Sequence, residues 1–236
     1  MLTAMLEGDS GRRAEAYQCE ARDLFTAPGV VRPPKLAAYP SPRGQIHLLF
    51  VGWNPPTAYG GFWSLEEPDN LRRELHGILR RIERVRSHKP DAVFLEEFLE
   101  TGHYFVHSVK CWIRAQYPGF GRKAVRRERH EIGEPLLRAC ATAHLETELS
   151  NLQPASICAL GELAYGAMRC LDPRLPASAR PSDGQIFTPA SDGTRWRLLY
   201  TCFPSGNFVH GGAARDVTRK HLESFTSDSR QGGLVS

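Results

Sequence analysis

The chain has 236 residues, of which 41% are hydrophobic and 24% charged, so it can bury a core of ordinary size and is expected to fold as a globular domain. No run approaches the roughly 20 apolar residues that a membrane-spanning helix needs. The first ten residues carry acids and no apolar stretch, which argues against a secretory signal and for a cytoplasmic location. The formal charge of +4 permits a polyanionic partner without requiring one.

Taken in order, residues 12–25 read as a helix. Residues 30–44 hold Pro33, Pro34, Pro40 and Pro42 and read as an extended surface segment. The run Ile46-His47-Leu48-Leu49-Phe50-Val51-Gly52 is apolar, β-branched and aromatic, and reads as a buried strand. It leads into Trp53-Asn54-Pro55-Pro56, where two prolines that cannot donate ladder hydrogen bonds take the chain out of the sheet. A polar amide is thereby carried at the carboxyl end of a strand, the end at which open α/β sheets bind ligands. An asparagine that merely caps the turn is the competing reading.

A glycine-hinged aromatic loop follows, Gly60-Gly61-Phe62-Trp63, whose aromatics read equally as core residues. Ser64-Leu65-Glu66-Glu67 fits a capping box, with Pro68 able to delay the helix start. Leu71, Leu75, Ile78, Ile82 and Val85 then recur at helical spacing, with charged residues on the other, solvated face. A shorter helix is expected over 92–100 and a strand over 103–109. Lys110-Cys111 stands at the end of that strand. Beyond it Arg122, Lys123, Arg126, Arg127 and Arg129 concentrate positive charge in a loop, either a solvated surface or a phosphate-binding one.

Leu137, Ala141, Leu145, Leu149 and Leu152 mark one face of the next helix, which Pro154 stops. Strands are expected over 155–160, 185–187 and 195–203, and helices over 162–171 and 213–225. Residues 226–236 read as a disordered tail after a single domain spanning 1–225. The strand–helix alternation argues for one α/β domain with a mainly parallel sheet and helices on both faces. The strand ends Gly52, Lys110, Gly161 and Phe203 then converge on one rim. Six cysteines without a Cys-x-x-Cys pair give no disulfide framework.

Several of these segments together resemble the uracil-DNA glycosylase superfamily. Leu48-Leu49-Phe50-Val51-Gly52-Trp53-Asn54-Pro55 is similar to its first motif in the Gly-X-Asn-Pro form. Phe203-Pro204-Ser205-Gly206-Asn207 stands in the place of its second motif. His107-Ser108-Val109-Lys110-Cys111, Cys140 and the stretch from Pro154 to Gly161 resemble segments of its iron–sulfur branch.

The resemblance implies a three-layer α/β/α sandwich with a central four-stranded, mainly parallel sheet. It implies a DNA partner, a monomeric enzyme of base-excision repair, and hydrolysis of the N-glycosidic bond of uracil or another deaminated base after base flipping. By the same resemblance Asn54 positions the attacking water, and Gly52, Trp53, Phe62 and Phe203 surround the base. Lys110 and the basic loop would hold the DNA backbone.

Two departures stand out. Phe203 occupies the first position of the second motif, where a polar donor is usual, so Ser205, Asn207 or His210 would have to substitute. Cys19, Cys111 and Cys140 fall at three cluster positions and Arg22 at the fourth, so a vestigial site is expected, with no cofactor, rather than a bound 4Fe-4S cluster. A non-catalytic nucleic-acid binder on the same fold is the alternative function.

Overall fold

The computed structural model describes residues 39–52, 61–65, 69–109, 137–204 and 211–231, the last helix at its two ends by backbone alone. The helix expected over 12–25, most of the proline-rich segment, the basic loop and residues 232–236 lie outside the described residues.

Five strands form one sheet: β1 (Leu48–Gly52), β2 (His103–His107), β3 (Ile157–Leu160), β4 (Gln185–Phe187) and β5 (Leu198–Thr201). Their order is β2-β1-β3-β5-β4. The first four in that order are parallel, and only β4 runs antiparallel, on the outer edge of β5. The four-stranded sheet implied by the resemblance is therefore corrected to five. The extra strand is the short 185–187 run, which its own residues already mark as a strand. β1 is paired on both sides and every one of its residues is buried, as expected for a run apolar on both faces.

Helices flank the sheet. The first, α1 (Asn70–Arg81), begins at Asp69, whose carboxylate accepts from Arg72 N at 2.6 Å. The cap is Asp69 and not Ser64, because Pro68 falls between the capping-box residues and the helix. Leu71, Leu75, Ile78 and Leu79 form its buried stripe, and Glu83, at φ 56°, turns the chain away soon after it ends. Next comes α2 (Ala92–Glu100), capped by Asp91, which packs Phe94, Leu95, Phe98 and Leu99 inward.

Residues 137–152 are helical throughout, with a π-helical segment at Ala141–Leu145 between a first α turn and α3 (Glu146–Leu152). The buried positions Leu137, Ala141, Leu145 and Leu149 are spaced by four. A stripe of that spacing drifts around a 3.6-residue helix, and the wider π turn brings it back into line.

Helix α4 (Gly161–Leu171) packs on β1, β3 and β5. A short α5 (Pro189–Asp192) separates β4 from β5, and α6 (Gly211–Gln231) closes the domain against β5 and α1. The backbone of α6 continues six residues past Phe225, where the sequence suggests a tail. Thr226 hydroxyl bonds back to Leu222 O at 2.8 Å, and Arg84 reaches Thr226 O at 3.3 Å.

Candidate functional site

The strand order reverses direction between β1 and β3. From β1 the chain crosses to β2 on one side, and from β3 it runs through α4 to β4 and then β5 on the other. In an open parallel sheet the carboxyl ends of two such strands diverge into a crevice, the usual ligand position. Gly52 and Leu160 end the two strands. The in-register partners Gly52 with His107 and Leu160 with Thr201 put β2 and β5 on the same rim.

Two glycines shape this rim. At Gly52 an added Cβ would lie 2.8 Å from the ring of Phe105, so only glycine lets the first motif leave the strand there. Gly161 joins β3 to α4 with no intervening loop, at φ +83°. An added Cβ there would also come within 3.2 Å of Phe203 Cβ. The turn into α4 and the exit from β5 therefore touch. The first turn of α4 points its free N–H groups at the rim, the positive end of the helix dipole.

Phe203 is half-buried beside Gly161. The backbone leading to it is pinned by α6. Thr218 hydroxyl donates to Cys202 O at 2.9 Å, and Thr201 Oγ1 lies 2.8 Å from His221 Nδ1. Burial lowers the His221 pKa, with Asp183 opposing, and raises that of the Cys202 thiol.

On the β2 side, His107 is 2% exposed. Its Nδ1 lies 2.9 Å from the Tyr39 hydroxyl, which also accepts the His107 backbone N–H at 3.3 Å. Phe105 meets the imidazole edge-on at 4.7 Å, and Ser108 N donates to Gly52 O at 2.8 Å. The sequence alone assigns His107 and Tyr39 no role. His107 does carry a signal, as a histidine inside the strand expected over 103–109 and the first residue of a segment that carries the resemblance. Tyr39 carries none, because it lies in the proline-rich stretch and joins the rim only through the fold.

Phe62 and Trp63, on a 3-10 turn (Gly61–Trp63), are core residues. Phe62 is 0% exposed and stacks on Phe105 with centroids 4.5 Å apart. Its ring offers no open face to a base. Trp63 Nε1 donates to Phe105 O at 3.0 Å. Arg72, buried on α1, donates to Phe62 O at 3.0 Å and to Ser64 O. Burial pushes the Asp69 carboxyl up and the Arg72 guanidinium down. Backbone hydrogen bonds from Arg72 and Leu71 and the charge of Arg72 oppose the first shift, and the charges of Asp69 and Asp91 oppose the second. The loop is thus bolted to the helix beneath it.

Of the sequence-derived site residues, the structure brings Gly52 and Phe203 to one rim and puts Phe62 beneath it. Trp53, Asn54, Lys110, the basic-loop residues, Ser205, Asn207 and His210 lie outside the described residues. So do Cys19 and Cys111. Cys140 is fully buried in a helix, where a thiol behaves as a small core residue. Among the described residues no group of three or more metal-ligating side chains occurs, and no helix is long and apolar enough to cross a membrane. No family model matches this sequence, and no curated protein matches it significantly.

Proposed function

We propose that the protein hydrolyses the N-glycosidic bond of uracil or another deaminated base in DNA, on a three-layer α/β/α domain acting as a monomer. The observation that carries the reading is the sheet order. It sets the end of β1, from which Gly52-Trp53-Asn54-Pro55 departs, at the switch point beside β3. Four strands of the five-stranded sheet, β2, β1, β3 and β5, are parallel, which supports the comparison with the resembled fold.

In this reading the base is flipped into the crevice, since its sugar bond cannot be attacked within the stack. The Asn54 carboxamide has no basic lone pair at neutral pH, so it orients a water toward the sugar carbon. The water oxygen bonds to that carbon, the carbon–nitrogen bond breaks and its electron pair leaves with the base, and the proton the water sheds passes through solvent to the departing base anion. Preorganised dipoles must then hold the base anion. The first turn of α4 is suitably placed, and Ser205, Asn207 and His210 follow Phe203 in the sequence as candidate donors. Phe203 forms an apolar wall, and Phe62, buried against Phe105 under the β1 side, does not touch the base. Lys110, Arg122, Lys123, Arg126, Arg127 and Arg129 carry the phosphate contacts.

The test is incubation with oligonucleotides bearing uracil, hypoxanthine or xanthine, followed by alkaline cleavage of abasic sites. Asn54→Ala should cut base release by about two orders of magnitude or more, as when one preorganised polar group is lost. DNA affinity should hold, because phosphate contacts dominate it. Phe203→His should raise the rate by giving the leaving base a donor if Phe203 is a true loss, and should be neutral or harmful if Ser205, Asn207 or His210 already supplies one. One specific feature favours a second reading, a non-catalytic DNA binder: Phe203 itself, which can donate no hydrogen bond. Wild type and Phe203→His that both bind DNA and release none of the three bases would establish it.

A further inference from the structure

A second basic surface lies away from the rim. On α1 the residues Arg73, Gly77, Arg80 and Arg81 recur at i, i+4, i+7 and i+8, the same spacing as the buried stripe but offset by two positions. They therefore form a stripe on the opposite side of the helix from the core. With Glu74, His76 and Arg215 of α6 they line a cleft of about 500 Å³.

Four guanidiniums here face two carboxylates among the described residues, and the pairings are loose. Arg73 to Glu74 is 3.7 Å, Arg215 to Glu74 is 3.5 Å and Arg81 to Asp216 is 3.6 Å. Arg80 meets no carboxylate among these and lies 3.0 Å from His88 Nδ1. Charge-assisted hydrogen bonds settle nearer 2.7–2.9 Å, roughly. These cations are held near carboxylates without being committed to them. The Nε of Arg215 is buried and has no hydrogen-bond partner among the described residues.

Gly77 supplies an independent observation. A glycine in mid-helix costs about 1 kcal/mol relative to alanine. Usually a close neighbour explains it, but an added Cβ at Gly77 would meet nothing within 4 Å. The open space above it is the floor of the cleft, where backbone is accessible to whatever the arginines hold.

We infer that the α1–α6 cleft binds the phosphodiester backbone of a nucleic acid, with Arg73, Arg80, Arg81 and Arg215 on phosphates and Gly77 as the clearance beneath them. The forked guanidinium suits phosphate oxygens, and four arginines line the cleft. Arg73 and Arg80 lie about 10 Å apart along the helix axis at 1.5 Å per residue, a span that suits successive phosphates of a strand better than one phosphate group. The inference is independent of base excision. It concerns a binding surface on different elements from the rim, and it stands whether or not a base is released.

The experiment uses the full-length protein and a fluorescein-labelled, lesion-free DNA duplex, with anisotropy recorded across a salt series. Arg73→Gln combined with Arg80→Gln removes two exposed cations and should lower the salt slope by about 2, near 0.9 for each phosphate no longer neutralised. Gly77→Leu should hold or raise the melting temperature, since leucine favours the helix and the space is open, yet weaken binding at least about tenfold by filling the cleft. Inorganic triphosphate serves as the control ligand. An unchanged slope in the double variant, or unchanged affinity in folded Gly77→Leu, overturns the inference. Triphosphate binding as tightly as the duplex would overturn the assignment to a strand.

Discussion

Protonation of His103 should set the acid limit of this fold. His103 starts β2, is 5% exposed, and stacks on Phe98 with centroids 5.3 Å apart while leaning on Phe50. Its Nδ1 lies 2.7 Å from Thr101 Oγ1. Burial, and then the nearby charges of Arg84 and His47, push its pKa from 6.5 down to about 4. The unfolded chain takes up a proton near the ordinary value, whereas the folded chain refuses it until about pH 4. Stability is thus intact above the unfolded value and is lost as the pH falls through the window between the two. Linkage puts that loss at roughly 2 kcal/mol between pH 7 and pH 5, and roughly 3 kcal/mol by pH 4.

The perturbation is His103→Phe. A phenyl ring suits a slot between two phenylalanines and cannot be charged. Breaking the hydrogen bond to Thr101 should cost about 1 kcal/mol or less at pH 7. Urea unfolding of both proteins at pH 7 and pH 5 gives the comparison, with every other titrating group common to the two. The variant should be as stable as wild type, or slightly weaker, at pH 7 and the more stable of the two at pH 5. If the two lose stability in parallel over that range, His103 is not the group responsible and the argument from its burial fails.

Two further outcomes follow from the rim and its foundation. Phe62→Ala should cost about 3–5 kcal/mol in urea unfolding, the usual range for emptying a fully buried aromatic; a cost under about 1 kcal/mol would mean the ring is not the packed core residue described here. Gly161→Ala should cost about 1–3 kcal/mol, for a non-glycine residue held at positive φ plus its pressure on Phe203, and should change the fluorescence or reactivity of probes at the rim; a variant as stable as wild type would refute the strained turn.

The elements legible in the sequence are those with an uninterrupted local signal. β1 is apolar on both faces, and β4 is bounded by Gly184 and Pro189, so both can be read nearly to the residue. What the sequence conceals depends on tertiary partners. The strand expected to reach 203 stops at Thr201, where α6 takes over the hydrogen bonding at Cys202. Its expected start at 195 fails because Asp172 captures the Arg195 N–H at 2.6 Å and holds that backbone out of the sheet. The π segment leaves no local mark except a four-residue spacing that any α-helix could share. The aromatic loop is recognisable, but its direction is not: whether Phe62 faces a ligand or the core is decided by Phe105, Phe98 and Arg72, none of them a neighbour in sequence. Half the candidate site is legible as a location, the ends of β1 and β5, because strand ends in a parallel sheet share a rim. The partnership of Tyr39 with His107 is not.

The construction of that rim bears on how much chemistry it can support. A group that must hold water against a sugar carbon is useful only if its backbone barely moves. β1 is the strand best suited to that: it is paired on both sides, sealed by the Phe62–Phe105 stack below Gly52, and tied to the neighbouring strand end through Ser108 N to Gly52 O. Phe203 leaves the sheet from backbone held by separate bonds to α6 and pressed against Gly161. The two exits are thus fixed by different parts of the structure. A side-chain change at 203 can alter the polarity of the crevice without moving the exit of β1. That separation is why Phe203→His is an informative substitution: it changes a hydrogen-bond donor at one wall while leaving the anchor of the opposite wall untouched.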